Sequence, residues 1–286
     1  DADEKWDFAS STVSKNEYSG DETEMTIELE ERYIPIEYGI TLDTNGGEVA
    51  GDNPIIYTIE DTDITLPEPV RTGYTFAGWK VTASDFTDIV PVGDDIVTVI
   101  PHNALSNITV TAQWNAITYT VKYDINATTY IADDSEETET STHTYDISSA
   151  LSENKFKRNY YTFEGWAVSP DGEKVYNDKA QVSNLTDTDG GEVTLYAVWK
   201  PIEYTITYEN SANGAYPTIN GEEMRYTTIV NNNQTTYTIE KRTINLTEVT
   251  CTGYTFTNWK YNGGTVVNNS ISLPDNPLPE SITITG

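Results

Sequence analysis

One heptapeptide is written three times. Gly73-Tyr74-Thr75-Phe76-Ala77-Gly78-Trp79 returns as Tyr160-Tyr161-Thr162-Phe163-Glu164-Gly165-Trp166, and again as Gly253-Tyr254-Thr255-Phe256-Thr257-Asn258-Trp259, with 87 and 93 residues between successive tryptophans. A chain that repeats itself at such a period folds as a row of similar units. Units of this size are long enough for a small core each.

A second motif closes each unit. Ile108-Thr-Val-Thr-Ala-Gln-Trp114 matches Val193-Thr-Leu-Tyr-Ala-Val-Trp199. Five residues after each tryptophan an alternating segment begins, at Tyr119 and Tyr204, and Tyr38 opens the same element in the first unit. The expected division is therefore 38–115, 119–200 and 204–286, the last stopping short of its closing tryptophan. Residues 1–33 read as the second half of a preceding module, with Tyr33 in the closing-tryptophan slot and Trp6 as that module's middle tryptophan.

Within a unit the period is two. Tyr119, Val121, Tyr123 and Ile125 alternate with Thr120, Lys122 and Asp124, the pattern of a strand with one wet face. Ile55, Tyr57 and Ile59 form a second strand, matched by Tyr237 and Ile239. Helix signals are sparse. Ser148–Phe156 has a serine cap and apolar Leu151 and Phe156, and Asp178–Leu185 is a second short candidate. Asn45-Gly46-Gly47, Pro170-Asp171-Gly172 and Asn262-Gly263-Gly264 supply turns.

In the repeated motif Tyr74 and Phe76 share a strand face, but Trp79 stands at odd spacing. A bulge at Gly78 returns its ring to that face. Because the trio recurs in register, the aromatics Tyr74, Phe76, Trp79, Trp114, Tyr161, Phe163, Trp166, Trp199, Tyr254, Phe256 and Trp259 read as core rather than as an exposed platform for sugar.

These residues carry a resemblance. Leu66-Pro-Glu-Pro-Val-Arg-Thr-Gly-Tyr-Thr-Phe-Ala-Gly-Trp79, followed by a strand ending Ala-Gln-Trp114, resembles the Listeria–Bacteroides repeat, also called the internalin B-repeat. The resemblance implies mostly-β, α+β architecture: tandem β-grasp (ubiquitin-like) modules, each a small mixed sheet with a short helix, in an elongated array. It also implies a place in large extracellular, cell-surface proteins and no catalytic residues. Unit two departs from the pattern by lacking the glycine before Tyr161, and unit three by carrying Asn258 where the others have glycine.

Composition narrows the function classes. Acidic residues outnumber basic ones 46 to 16, a net charge of −30, which repels phosphate backbones and anionic lipid and excludes nucleic acid as a partner. No apolar run approaches the ~18 residues that span a bilayer, so no membrane insertion is expected of this segment. Asp1-Ala-Asp-Glu-Lys-Trp6 has no signal-peptide character. The single cysteine, Cys251, excludes an internal disulfide and reads as a small buried residue at a strand start.

Little chemistry is on offer. His102 and His143, the only histidines, fall in different units at non-equivalent positions, and no nucleophile–base set, phosphate loop or zinc spacing occurs. The expectation is a protein without enzymatic activity. Asp187, Asp189 and Glu192 are weak calcium candidates that lack the twelve-residue loop spacing; otherwise no cofactor is expected. Six Asn-x-Ser/Thr sequons, at Asn107, Asn126, Asn184, Asn233, Asn245 and Asn268, match what so many Asn, Ser and Thr produce by chance. Three roles are compatible with this: a stalk or spacer whose partners are neighbouring modules of the same chain, a glycan- or host-protein-binding module using inserted segments 132–144 and 220–236, and a subunit that self-associates through unpaired terminal strands.

Overall fold

A computed structural model describes residues 6–13, 29–85, 90, 92–209, 218–219, 222–223 and 229–286, with side chains described for 33–85, 90, 92–209 and 229–286. Residues 220, 221 and 224–228 of the insertion at 220–236, and the start of the strand expected at 26–33, lie outside the described residues. The chain divides into two compact units, 1–120 with 142–149 and 182–192, and 121–141 with 150–181 and 193–286.

The alternating segments form the strands that their period demands. In the first repeat the opening strand Tyr38–Asp43 lies between the second strand Ile55–Tyr57 and the closing strand Ile108–Ala116; the motif strand Tyr74–Ser84 and a short strand Ile96–Val97 complete five. Opening and closing strands run parallel, Ile40 opposite Ile108, while the remaining pairs are antiparallel. The third repeat uses the same order, Thr236–Tyr237, Tyr204–Glu209, Ser281–Thr285 and Lys260–Tyr261, again with a parallel centre, Ile206 opposite Ile282. In the second repeat the order is Glu139–Thr144, Thr118–Asp124, Glu192–Pro201 and Tyr161–Ala167.

The expected helices are absent. Among the described residues the helical content is one 3-10 turn, His102–Ala104. Each repeat instead carries a two-stranded ribbon: Ile64–Thr65 with Val99–Ile100, Ser149–Ala150 with Gln181–Val182, and Thr243–Asn245 with Ser270–Ser272. After each first strand a buried leucine donates its N–H to the return segment, Leu66 to Thr98 O at 2.9 Å, Leu151 to Ala180 O at 2.9 Å and Leu246 to Asn269 O at 2.7 Å. The candidate helices at 148–156 and 178–185 fall on the middle ribbon. Eight or nine residues do not offset the nucleation cost of a helix, and Lys179 and Asn184 sit in the left-handed region at φ 56° and 54°. Ser149 Oγ is 2.6 Å from His143 Nδ1 rather than on a cap.

Glycine bulges return the motif tryptophan to the core. Phe76 stands opposite Trp114, the register then slips between Phe76 and Gly78, and Trp79 stands opposite Ala112. The second repeat copies this, Phe163 opposite Trp199, a slip to Gly165, Trp166 opposite Ala197. Gly78 and Gly165 have φ of 126° and 148°, and a Cβ on Gly165 would collide with Tyr176 O. Trp79 and Trp166 are each 1% exposed. Burial of such a ring is worth roughly 3 kcal/mol before packing effects.

The N-terminal hairpin shifts one assignment. Trp6–Val13 pairs antiparallel with Leu29–Pro35, Phe8 opposite Tyr33, with the register slip directly after Phe8. Tyr33 therefore holds the closing-tryptophan place. Trp6, opposite Pro35, matches Tyr161, opposite Pro201, so it occupies the first aromatic place of the motif; the middle-tryptophan place falls on Ser11.

Candidate functional site

The motif aromatics divide by task. Phe76 meets Trp79 and Trp114 edge-on, both at 5.5 Å, and Phe163 meets Trp166 and Trp199 at 4.9 and 5.7 Å. Trp114 Nε1 donates to Thr44 O at 3.0 Å and Trp199 Nε1 to Ile125 O at 2.7 Å, tying closing strand to opening strand in each. In the third repeat Phe256 meets Trp259 at 5.0 Å. The first tyrosine of the motif departs from the expected core: Tyr74 and Tyr161 meet the repeat that follows, and Tyr254 is exposed.

At the first junction Tyr74 Oη donates to Asp146 Oδ2 at 2.7 Å. Asn184 Nδ2 donates to Asp146 Oδ1 at 2.8 Å, and the Asp146 N–H donates to Asn184 Oδ1. The Tyr74 hydroxyl and then Asn184 hold the Asp146 carboxyl below the usual carboxylate range, and the same bond raises the Tyr74 phenol. The Arg71 guanidinium lies 3.8 Å above the Tyr74 ring. Tyr145 packs edge-on against Tyr74 at 5.9 Å and over Gly73, at φ 78°, where a Cβ would overlap its ring. Ile117 N–H donates to Gly73 O at 3.1 Å, and Tyr145 N–H to Ile117 O at 3.0 Å.

The second junction repeats the first with sizes exchanged. Arg158 lies 3.7 Å above Tyr161, and Tyr161 Oη donates to Glu240 Oε1 at 3.1 Å. Burial and then that bond push the Tyr161 phenol up. Ile202 N–H donates to Tyr160 O at 2.8 Å, as Ile117 does to Gly73. Tyr160 replaces the glycine while keeping its left-handed backbone, φ 70°. Its hydroxyl donates to Asn276 Oδ1 at 3.1 Å and accepts the Leu278 N–H at 3.3 Å. Where Tyr145 covered Gly73, the matching residue is the smaller Ile239.

The acidic partners escaped the sequence reading. They had a signal, since Glu60, Asp146 and Glu240 each stand three residues after the second-strand ring, Tyr57, His143 or Tyr237. That ring packs against the opening tyrosine in every repeat, tilted for Tyr38–Tyr57 at 5.8 Å and Tyr204–Tyr237 at 5.6 Å and stacked for Tyr119–His143 at 5.6 Å. The tyrosines donate to backbone, Tyr57 to Ser106 O at 2.6 Å and Tyr237 to Pro279 O.

Other candidates are occupied elsewhere. Asp189 Oδ1 accepts the Thr118 N–H at 3.3 Å, and among the described residues no three His, Cys, Asp or Glu side chains gather as a metal site, Asp187, Asp189 and Glu192 included. Asn126 Nδ2 donates to Pro170 O and Ala197 O, and Asn107 Nδ2 to Asp85 Oδ2, so these sequon amides are spent on structure. Half of the segment 132–144 is the strand Glu139–Thr144, and its loop is tied back by Lys157–Asp134 and Lys155–Glu139 ion pairs. Cys251 is half-buried in the strand Thr250–Cys251, paired to Ile229–Val230. It takes the place that Arg71 and Arg158 hold. No helix among the described residues is long and apolar enough to cross a membrane.

Comparison with known proteins agrees with this geometry. Residues 38–113 and 119–198 match the Listeria-Bacteroides repeat domain. A protein of Evansella cellulosilytica named "Putative membrane protein" is 28% identical over 203 residues, 68% of this chain and 26% of its own length. A second from the same organism, named "Putative Gly-rich membrane protein", is 24% identical over 228 residues, 77% of this chain and 21% of its own. The chain thus spans about a quarter of the length of these relatives. With the family motif matched over more than half of its residues, and the bulged aromatic strand and its closing tryptophan built twice over, the chain belongs to the Listeria-Bacteroides repeat family.

Proposed function

We propose that this chain is a non-catalytic, extracellular spacer in a surface-associated protein, a stalk whose repeats hold one another by short, bonded junctions. The observation that supports it is the recurrence of one junction, tyrosine hydroxyl to carboxylate beside a backbone bond from the linker isoleucine, between both successive pairs of repeats. A spacer that carries load gains from junctions that resist bending, and a linker of four residues bonded at its isoleucine has little hinge freedom. The names of the longer relatives, membrane proteins of which this region is about a quarter, support a surface location. The charge of −30 keeps such an array dispersed.

Each repeat is a β-grasp unit in this reading. Its support is the strand order second–opening–closing–motif in all three, with a parallel central pair in the first and third, and a two-stranded ribbon stands where the family's helix is expected. Small-angle scattering on the 286-residue chain tests the stalk. A compact globule of this length has a radius of gyration of about 19 Å. A stalk gives a clearly larger value that is unchanged between low and moderate salt; a value near the globular one overturns the reading.

A further inference from the structure

A spacer is loaded along its chain, and the fold decides which bonds take the load. Tension on the first repeat enters at Tyr38, the start of the opening strand, and leaves at Ala116, the finish of the closing strand. These strands lie side by side and run parallel, from Ile40 opposite Ile108 to Asp43 opposite Thr111. Drawing the start of one away from the finish of the other slides the pair along its own axis, so all the bonds between them are stretched together. Drawing both strands apart at one end would open the same bonds in turn.

Side chains fasten this pair beyond its ladder. At the near end the Gly39 N–H donates to Asn107 Oδ1 at 3.0 Å. At the far end Thr111 Oγ1 donates to Asp43 Oδ2 at 3.2 Å, Asn45 Nδ2 to Ala112 O at 3.3 Å and Trp114 Nε1 to Thr44 O at 3.0 Å. Asn45 reaches across because the chain turns there. Its N–H donates to Asp43 Oδ1 at 3.0 Å, and its backbone is left-handed, φ 47°. The second repeat builds the same fastening. The Asn126 N–H donates to Asp124 Oδ1 at 2.7 Å, φ is 51°, and Asn126 Nδ2 donates to Ala197 O at 3.1 Å, beside Trp199 Nε1 on Ile125 O at 2.7 Å. Asn45 is exposed, so packing in the core does not account for it.

We infer that the opening–closing pair is the force-bearing element of these two repeats, and that the turn asparagines Asn45 and Asn126 lock it against sliding. The inference rests on the spacer reading for its use, not for its test. Forced unfolding follows the unfolding rate, and bonds that must break early on the way out raise that barrier. The lock at Asn45 lies at the far end of the pair from Gly39. It is stretched when the strands slide and untouched when the pair is first opened from the Gly39 end.

Optical tweezers test this on the full chain, with Cys251→Ser, held by handles on introduced cysteines at exposed sites. Glu37→Cys with Asn115→Cys loads the first repeat in sliding. Glu37→Cys with Asn103→Cys, just ahead of the closing strand, loads the pair from one end. At one constant force the sliding geometry should unfold more slowly by at least about tenfold. Asn45→Gly keeps the left-handed turn and loses the amide. It should raise the sliding rate by about fivefold, the worth of one hydrogen bond, and leave the one-end rate within about twofold. Thr111→Val, which removes the bond to Asp43 at nearly constant shape, should act in the same direction and serves if Asn45→Gly does not fold. Equal rates in the two geometries overturn the force-bearing pair. A variant effect that is equal in both geometries is a loss of stability alone, and that result, like no effect in sliding, overturns the lock. A tenfold difference in a chain whose scattering is globular keeps the pair and removes the spacer; an extended chain with equal rates does the reverse.

Discussion

The second and third repeats share the words Tyr-Thr-Phe and the same trailing tryptophan, yet only one of them makes a strand of it. Tyr161–Ala167 is paired along its length with the closing strand Glu192–Pro201. In the third repeat pairing begins at Lys260, opposite Thr285, and residues 255–259 carry no strand. The pairing marks the difference. The partners of Phe163 and Tyr161 are Trp199 and Pro201, whereas the ladder of the third repeat holds only Lys260 and Tyr261 of this region. β propensity in a Tyr-Thr-Phe run is thus conditional: the same residues ladder in one repeat and stay irregular in the other. The bulge behaves likewise. Gly165 adopts φ 148°, whereas Asn258 in its place is not among the positive-φ residues.

The core tryptophans set the largest contrast. Trp166 packs against Tyr123 at 4.8 Å, Phe156 at 6.1 Å and Phe163 at 4.9 Å, while Trp259 packs against Tyr208 at 5.8 Å and Phe256 at 5.0 Å. Both indole N–H groups are buried without an acceptor among the described residues, unlike Trp79, whose Nε1 donates to Pro67 O at 2.8 Å. Trp166→Ala should destabilise its repeat by ~3–5 kcal/mol, and Trp259→Ala by about half as much. Urea unfolding of the two variants checks this, and equal losses would break the comparison.

The bulge position sharpens the same point. Gly165→Ala meets Tyr176 O and an unfavourable φ, and should cost ~2 kcal/mol. Asn258→Gly should be worth less than about 0.5 kcal/mol in the chain as it stands. Melting temperatures of the two variants against the parent chain decide it.

The smallest effect is on pH. His143 takes the place of Tyr237, and burial lowers its pKa from 6.5. The fold keeps the neutral imidazole, so the unfolded chain takes up the proton first, and the second repeat should lose stability as pH falls below about 6.5. Tyr237 has the opposite sign. Burial pushes its pKa from 10.0 to about 12, the unfolded chain ionises first, and the third repeat should weaken as pH rises past about 10. Denaturant midpoints between pH 5 and 7 test the first half, and His143→Tyr should flatten that slope.

Much of this was legible in the sequence because it is local or periodic. Alternation at Tyr119–Ile125 dictates a strand with one wet face, the odd spacing of Phe76 and Trp79 demands a bulge, and their recurrence fixes which aromatics share a core. The junction contacts were not legible, since Tyr74 and Asp146 lie 72 residues apart and Tyr161 and Glu240 79, and only packing brings them together. Nor was the ribbon at 149–150 and 181–182, where a serine cap and spaced apolar residues suggested a helix. Trp6 read as a middle tryptophan by its spacing, and pairing with Pro35 moves it to the first aromatic place of the motif. What the sequence alone determined was the repeat, its strands and its aromatic core, all short-range properties of the backbone and side-chain period. What only the tertiary structure decided was pairing, register and the junctions, because those free energies come from contacts between segments distant in the chain.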